Sequence, residues 1–479
     1  MSCGEISIHF HLIIIDQENK TIKVKQVILI ILFSGALYTA AQPNVFTEDQ
    51  FISAVAKFHP VAKQAGVYVR IAKADLLSSR GQFDPRFTSE TARKEFGAVT
   101  YYDQRFNQVS IPTWYGLEFH AGTEKIGGSR VNPEETSGSI TYMGFSVQPL
   151  QNLLMDKRRA ALLQARNIQL LSQLQRQSII NDLLHDALRA YWDWWEKFQV
   201  QQLVTASLVN AEQRFALIKT AYQLGDRPAI DTIEAHTQVQ YFQIRNAEAY
   251  QDLVKARLQL SAFLWKEDGG TTELPMNAVP QDYSDPRTPL LADVMNSASS
   301  HPDLVQYDLK LKGMQIDKKL AFQLLLPEAK LKYNQTGNNV SKTVNAQWFD
   351  NNYRFGINVS IPLRLSEGRG DFQKAKLNIE STRLEQTNKE AQLYVKLKQH
   401  YTEWQQTQTQ LSIQQGLLAN TRTLQKGEET KFNNGESSMF LLNARVQKTI
   451  EAEQKLIELK AKIQKAAIGV EWSAGILAP

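Results

Sequence analysis

From Leu150 to Leu224 the chain runs for 75 residues without a proline or a glycine. Its apolar positions recur at helical spacing: Ile180, Leu183, Leu184, Ala187, Leu188, Tyr191, Trp194, Trp195 and Phe198. Good helix formers (Ala, Leu, Gln, Arg, Lys) fill most of the rest. Against a mean helix of about 12 residues, this predicts one exceptional helix or two stacked end to end, approaching about 110 Å. Gly225 interrupts the run, Pro228 restarts it, and Ala229 to Asp268 again lacks both breakers. Glycine frees the backbone for a turn, and proline suits a first helical turn. The pattern predicts a long helix, a tight turn and a shorter helix returning alongside. The second half repeats it. Asp371 to Asn434 holds only Gly416 and Gly427, Gly435 makes the turn, and Glu436 to Ile468 returns. Helices this long need partner helices along their whole length, in a coiled coil or a barrel wall.

Before each long helix the period changes from helical to two. Trp114 to Ala121 and Gly138 to Val147 alternate in the first half; Ala329 to Asn334 and Tyr353 to Ile361 alternate in the second. That is the mark of strands with two different faces. Alternating strands of about ten residues suit a membrane β-barrel, and bacterial barrels have at least about eight strands, so four per chain require several chains. A soluble sheet packed on one side alternates in the same way. The helices, too long for a globule, and an exported context favour the membrane barrel.

The two halves also share landmarks in one order. His59-Pro60 answers His301-Pro302, Gly144 to Leu150 answers Gly356 to Leu363, Tyr222 to Asp226 answers Phe432 to Glu436, and Trp265 answers Trp472. The first pair is offset by about 240 residues and the others by about 210, which is two copies of one large unit with extra residues in the first, not a short-period solenoid. The expected organisation is an N-terminal extension and signal peptide over 1–41, a first repeat over 42–285 and a second over 286–479.

Composition narrows the class. Hydrophobic content is 43% and mean hydropathy −0.36, which excludes a bundle of membrane helices. The net charge of +5 is mild and of mixed sign along the chain, and argues against nucleic acid. The one cysteine, Cys3, allows no disulfide framework and no cysteine metal site. Lys23 and Lys25, the apolar run Val27 to Phe33 and the small residues at Thr39 to Ala41 read as a secretory signal peptide cut near Ala41. The apolar run falls short of the roughly 20 residues of a spanning helix.

The ordered set of helix, hairpin, long helix and return helix, twice over, resembles the TolC-like outer-membrane efflux proteins. So do the junctions Val147-Gln148-Pro149-Leu150 with Asp156 to Ala160, and Ser360 to Leu363 with Gly368-Arg369-Gly370. The glycine turns with Asp231, Glu234 and Ala235, and more loosely Asn443 and Ala444, complete the likeness. The resemblance implies a mainly α fold with β. Duplicated long helical hairpins form a trimeric α-barrel, and four strands per chain join a twelve-stranded transmembrane β-barrel. It implies a homotrimer in the outer membrane of a Gram-negative bacterium, in contact with outer-membrane lipid and extending into the periplasm. There it is a passive exit duct of a tripartite efflux pump or type I secretion system, gated at the periplasmic tip and served by an adaptor protein and an inner-membrane pump. The region 88–137 departs from the simple pattern and is expected as an extra loop at the barrel. The second turn lacks the acids of the first and reads about one residue shorter.

The tip candidates are Tyr222, Gly225, Arg227, Asp231, Glu234, Phe432, Gly435 and Asn443. Asp231 and Glu234 lie three apart and share a helix face. In a trimer they would offer six carboxylates able to favour or bind a cation; equally, acids in a first helical turn are stabilised by the helix dipole. Arg227 has the reach to pair with an acid on an adjacent helix, and Tyr222 and Phe432 to pack or lock neighbouring hairpins. Ordinary turn packing accounts for all three as well. Tyr191 to Trp195 reads as packing between helices in preference to a drug-binding patch. None of the eight histidines forms an HExxH pair or close cluster, and no nucleotide-binding or acyl-transfer motif occurs. No cofactor, metal or catalytic site is expected. The alternatives in other classes are a periplasmic coiled-coil adaptor, against which the twofold repeat argues, and a helical scaffold without a pore.

Overall fold

The computed structural model describes residues 44–477 except 133, 286–291, 293, 297–299 and 350. The expected signal peptide and Cys3 lie outside them. In the first repeat, β1 (Asn44–Phe46), α1 (Glu48–Phe58) and α2 (Pro60–Gly81) lead to β2 (Arg86–Phe96), β3 (Val99–Pro112), β4 (Leu117–Gly127) and β5 (Gly138–Val147). Then come α3 (Lys157–Gln223), α4 (Ala229–Ser261) and β6 (Ala278–Pro280). In the second, α5 (Pro302–Gln323), β7 (Glu328–Gly337), the short α6 (Val340–Val344) and β8 (Tyr353–Ser360) precede α7 (Ser366–Asn433) and α8 (Met439–Ala474). No described helix is long and apolar enough to cross a membrane.

The long runs are single helices. α3 has 67 residues and α7 has 68, each about 100 Å long. Both repeats start their first long helix in the same way. The Nδ1 atoms of His59 and His301 accept hydrogen bonds from the backbone of Val61 and Asp303, with proline at the first helical position. The duplicated His-Pro pairs are therefore N-caps.

On one side of the middle, α2, α3, α5 and α7 lie side by side in that order. Asn167 Nδ2 on α3 donates to the Leu309 carbonyl on α5 (2.6 Å), and Lys389 on α7 meets Asp303 on α5 (2.8 Å). On the other side, α4 packs on α3 and α8 on α7, and α8 also packs on α3. The core is densest at the middle. Tyr191, Trp192, Trp194 and Trp195 are all at most 2% exposed and pack with Phe51, Val55, Leu260 and Ile468. The Tyr191 hydroxyl donates to the Phe46 carbonyl (2.8 Å) and Trp195 Nε1 to the Gln281 carbonyl (3.1 Å), so these polar edges are satisfied. The aromatic run is packing, as its sequence favoured.

The sheet corrects one expectation. The four anticipated strands are present as β4, β5, β7 and β8, but the sheet has six, in the antiparallel order β2-β3-β4-β5-β7-β8. The region anticipated as an extra loop supplies β2 and β3, which pair from Arg86↔Ser110 to Phe96↔Val99. The sheet of one chain thus has six strands where four were anticipated.

The register gives the sheet two unlike faces. Ile111, Phe119, Phe145, Tyr333 and Phe355 follow one another across neighbouring strands on one face. Phe87, Val109, Met143, Ile357 and Val359 extend this apolar belt, and all five are exposed. Trp348 and Phe349 pack on Tyr333 at the far end of the sheet, and exposed Trp114 and Tyr115 lie at the helix end. The opposite face is mainly polar, with Ile126 and Ile140 buried on it. His120, Gly144, Asn334 and Arg354 form one row there. Any side chain at Gly144 would collide with the Tyr333 carbonyl and the Asn334 amide; its absence lets His120 bond Asn334 two strands away. Arg354 binds Glu124 through two contacts of 3.1 Å, and Tyr142 donates to Gln108 (2.9 Å).

Candidate functional site

The two helical hairpins end together, far from the sheet. Their turns share one hydrogen-bond pattern. Gly225 N–H donates to the Tyr222 carbonyl and Asp226 N–H to Ala221; Gly435 N–H donates to Phe432 and Glu436 N–H to Lys431. This is the Schellman closure, in which the residue after the helix takes a left-handed conformation that glycine adopts without strain. Gly225 has φ +84° and Gly435 φ +80°. The caps that follow are Pro228 and Ser438, each three residues beyond its glycine. The turns are therefore equal in length, and the second is not one residue shorter.

Arg227 joins the two tips. Its Nη2 donates to the Phe432 carbonyl (2.8 Å), and its guanidinium lies 4.1 Å from the Phe432 ring centre. Its Nη1 is 3.9 Å from Asp231 on its own return helix. So the cation reaches the other hairpin through a carbonyl and a ring, and its acid is local. A cation held over an aromatic face with a charge-assisted bond is worth more than an exposed ion pair. Phe432 is buried with Ile218, Ala235, Met439, Leu442 and Val446, drawing both hairpins into one small core. Tyr222 is 46% exposed.

Asp231 and Glu234 divide their partners. Asp231 faces Arg227, and Glu234 accepts from Asn443 Nδ2 on α8 (3.4 Å). Both carboxylates therefore have partners within the chain. Asn443 is buried, and its Oδ1 has no hydrogen-bond partner among the described residues.

The second tip carries an acid that sequence reading missed. Glu428, about two turns before Gly435, accepts from the Ser437 hydroxyl (2.5 Å) and meets Arg445 Nε on the return helix (3.6 Å). The Ser437 bond, with Arg445 beside it, holds the Glu428 carboxyl below its ordinary range. Its spacing of seven before the glycine was the available signal. Above the tips, a groove of about 900 Å³ separates the hairpins, lined by Arg214, Leu217, Arg422, Glu429 and Thr449 among others. Among the described residues, no group of three or more His, Cys, Asp or Glu side chains is placed to hold a metal.

Two long helical hairpins tied at their tips, set beneath a sheet with one apolar and one polar face, make up the architecture that known proteins share. Residues 295–475 match the family described as "Outer membrane efflux protein". The chain is similar in fold to the CmeC outer membrane channel of Campylobacter jejuni, at 13% identity and TM-score 0.62, covering 89% of this chain and 85% of that one. It is similar to VceC of Vibrio cholerae at 11% and 0.62, covering 89% and 96%. It is similar to the open state of the Neisseria gonorrhoeae MtrE channel at 12% and 0.63, covering 89% and 88%. No curated protein matches by sequence. The chain has the TolC-like fold over 89% of its length, and residues 295–475 carry the sequence pattern of the outer membrane efflux proteins.

Proposed function

We propose that three copies of this chain form the outer-membrane exit duct of a tripartite export system, a passive conduit that spans the membrane with its sheet and the periplasm with its helices. One observation carries this reading: both long edges of the chain are unfinished, and both are apolar. At the lower edge, α4 exposes Ile230, Ile233, Tyr241 and Ile244 along one stripe, and α7 exposes Ile413, Leu417 and Leu424 on the opposite edge. Higher up, α2 exposes Val67, Tyr68 and Ile71, and α7 exposes Leu377 and Leu384. Two different edges that each want an apolar partner favour a head-to-tail contact between copies, which closes into a ring. In such a ring the apolar belt of the sheet faces lipid and the polar face lines the pore.

The tip is the gate on this reading. Arg227 holds the first hairpin to the second, Asp231 orients that cation, and Asn443 with Glu234 forms a second tie. Moving one hairpin away from the other breaks the Arg227 contacts while leaving both Schellman turns intact. The groove between the hairpins offers a helical adaptor a seat, and the energy for export comes from an inner-membrane pump. The test is the native mass of the detergent-extracted protein together with its conductance in planar bilayers. A three-chain particle that conducts is expected; a monomer released by salt alone, or a trimer that conducts nothing even with Arg227 replaced, would sink the proposal.

A further inference from the structure

We infer that the membrane barrel of this protein has eighteen strands, closed by pairing of β2 in one copy with β8 in the next. The inference rests on the three-copy ring proposed above and concerns how its sheets join.

Three observations lead to it. First, the sheet ends on two unpaired strands, β2 and β8, of 11 and 8 residues. Both are almost wholly exposed. Long bare edges pair with whatever strand is available, and a barrel abolishes them. Second, each strand edge continues a helix edge. β2 follows α2 after Gln82 to Pro85, and β8 leads into α7 through Ile361 to Leu365. α2 and α7 are the outer helices of the four-helix layer. Any contact that brings α7 of one copy against α2 of the next therefore brings β8 against β2. The direction is right as well: β2 runs away from the helices and β8 runs towards them, so the new pair is antiparallel like every other pair in the sheet.

Third, the circumferences agree. Four helices from each of three copies, spaced about 9–10 Å apart, make a ring about 110–120 Å round. Eighteen strands spaced about 4.8 Å apart and tilted about 40° measure about 110 Å round, whereas twelve measure about 75 Å. Six strands per chain thus continue the helical wall with little narrowing. Phe87, on the same face as Val109 and Met143, carries the apolar belt up to the β2 edge.

Disulfide trapping in the full-length protein in outer membranes tests this. Cysteine pairs join Thr88 or Glu90 on β2 to Gly356 or Asn358 on β8, all on the polar face. A second set joins Ala121 or Thr123 on β4 to Phe355 or Ile357 on β8. Mild oxidation is expected to link chains through at least one β2–β8 pair, giving two- and three-chain bands on denaturing gels, and through no β4–β8 pair. Links through β4–β8 alone would mean a twelve-stranded barrel with the β2–β3 hairpin set aside, and would overturn the inference. So would a three-chain particle with no links of either kind. Hydrogen exchange on the unsubstituted particle gives an independent reading. Amides of β2 and β8 should exchange as slowly as those of β5, and fast exchange along β2 would count against closure there. A native mass other than three chains overturns the ring itself, and so separates that failure from this one.

Discussion

The middle of the molecule and its tips are held by opposite means. At the middle, Tyr191, Trp192 and Trp194 are buried to within 1%, and about 150–250 Å² of each aromatic side chain leaves water. At the tips, the Phe432 cluster is small, and the tie between hairpins is one arginine on a carbonyl and a ring. Dense apolar cores open only with global unfolding, whereas sparse, solvent-facing contacts open locally. On the reading proposed above, the middle is the fixed hoop of the chain and the tips are the part that moves.

The largest expected effect tests the hoop. Trp194→Ala should cost about 3–5 kcal/mol, because a large buried ring leaves a cavity. It should lower the temperature at which the purified particle loses its helical signal, and an unchanged melt would show that the aromatic cluster is not what holds the middle. Next, Arg227→Ala should loosen the tip by about 1–2 kcal/mol, or about 5–30-fold in the closed-to-open ratio, without moving that melt. Arg227→Lys should not restore closure, since an ammonium cannot both lie over Phe432 and reach its carbonyl. Single-channel recordings read both variants; equal open probability in wild type and Arg227→Ala would remove the lock. Gly225→Ala and Gly435→Ala should each cost about 1–2 kcal/mol, because both sites have positive φ. Tip cleavage by protease should rise while the middle stays protected. Equal sensitivity at both places would erase the contrast.

The smallest effect is a pair of opposite pH responses. Burial pushes the Glu48 carboxyl, at the start of α1, from 4.5 up to about 7. Its folded state holds the proton more tightly than the unfolded chain does. The stability it contributes is present below pH 4.5 and is lost as pH rises towards 7. Glu428 is shifted down by Ser437 and Arg445, so its contribution is present above the ordinary carboxylate range and is lost as pH falls through its lowered value. Acid should therefore tighten the middle and loosen the second tip. Glu48→Gln should flatten the first trend, read from melts between pH 5 and 8, and Glu428→Gln the second, read from protease cleavage at the tip in acid. Parallel trends in both regions would contradict the assignment.

The long helices were legible because a run free of proline and glycine admits few other structures. The His-Pro pairs and the glycine turns were legible because their chemistry is local. β2 and β3 were not. Arg93, Asp103, Arg105 and Lys125 interrupt the apolar face beyond its belt, so period-two alternation fades where the strands continue. The partner of Arg227 was hidden for another reason. A carbonyl about 200 residues away leaves no trace in local spacing. Glu428 escaped notice because its pairing runs upstream of the glycine, where the first tip has no counterpart.

The equal turns have one more consequence. In a ring of three chains the tips make six positions with a single backbone shape, so a partner meets pseudo-sixfold geometry. Their chemistry alternates, with Pro228 and Arg227 at one kind and Ser438, Ser437 and Glu428 at the other. A partner that grips by shape alone can bind six times, whereas one that reads side chains is limited to three.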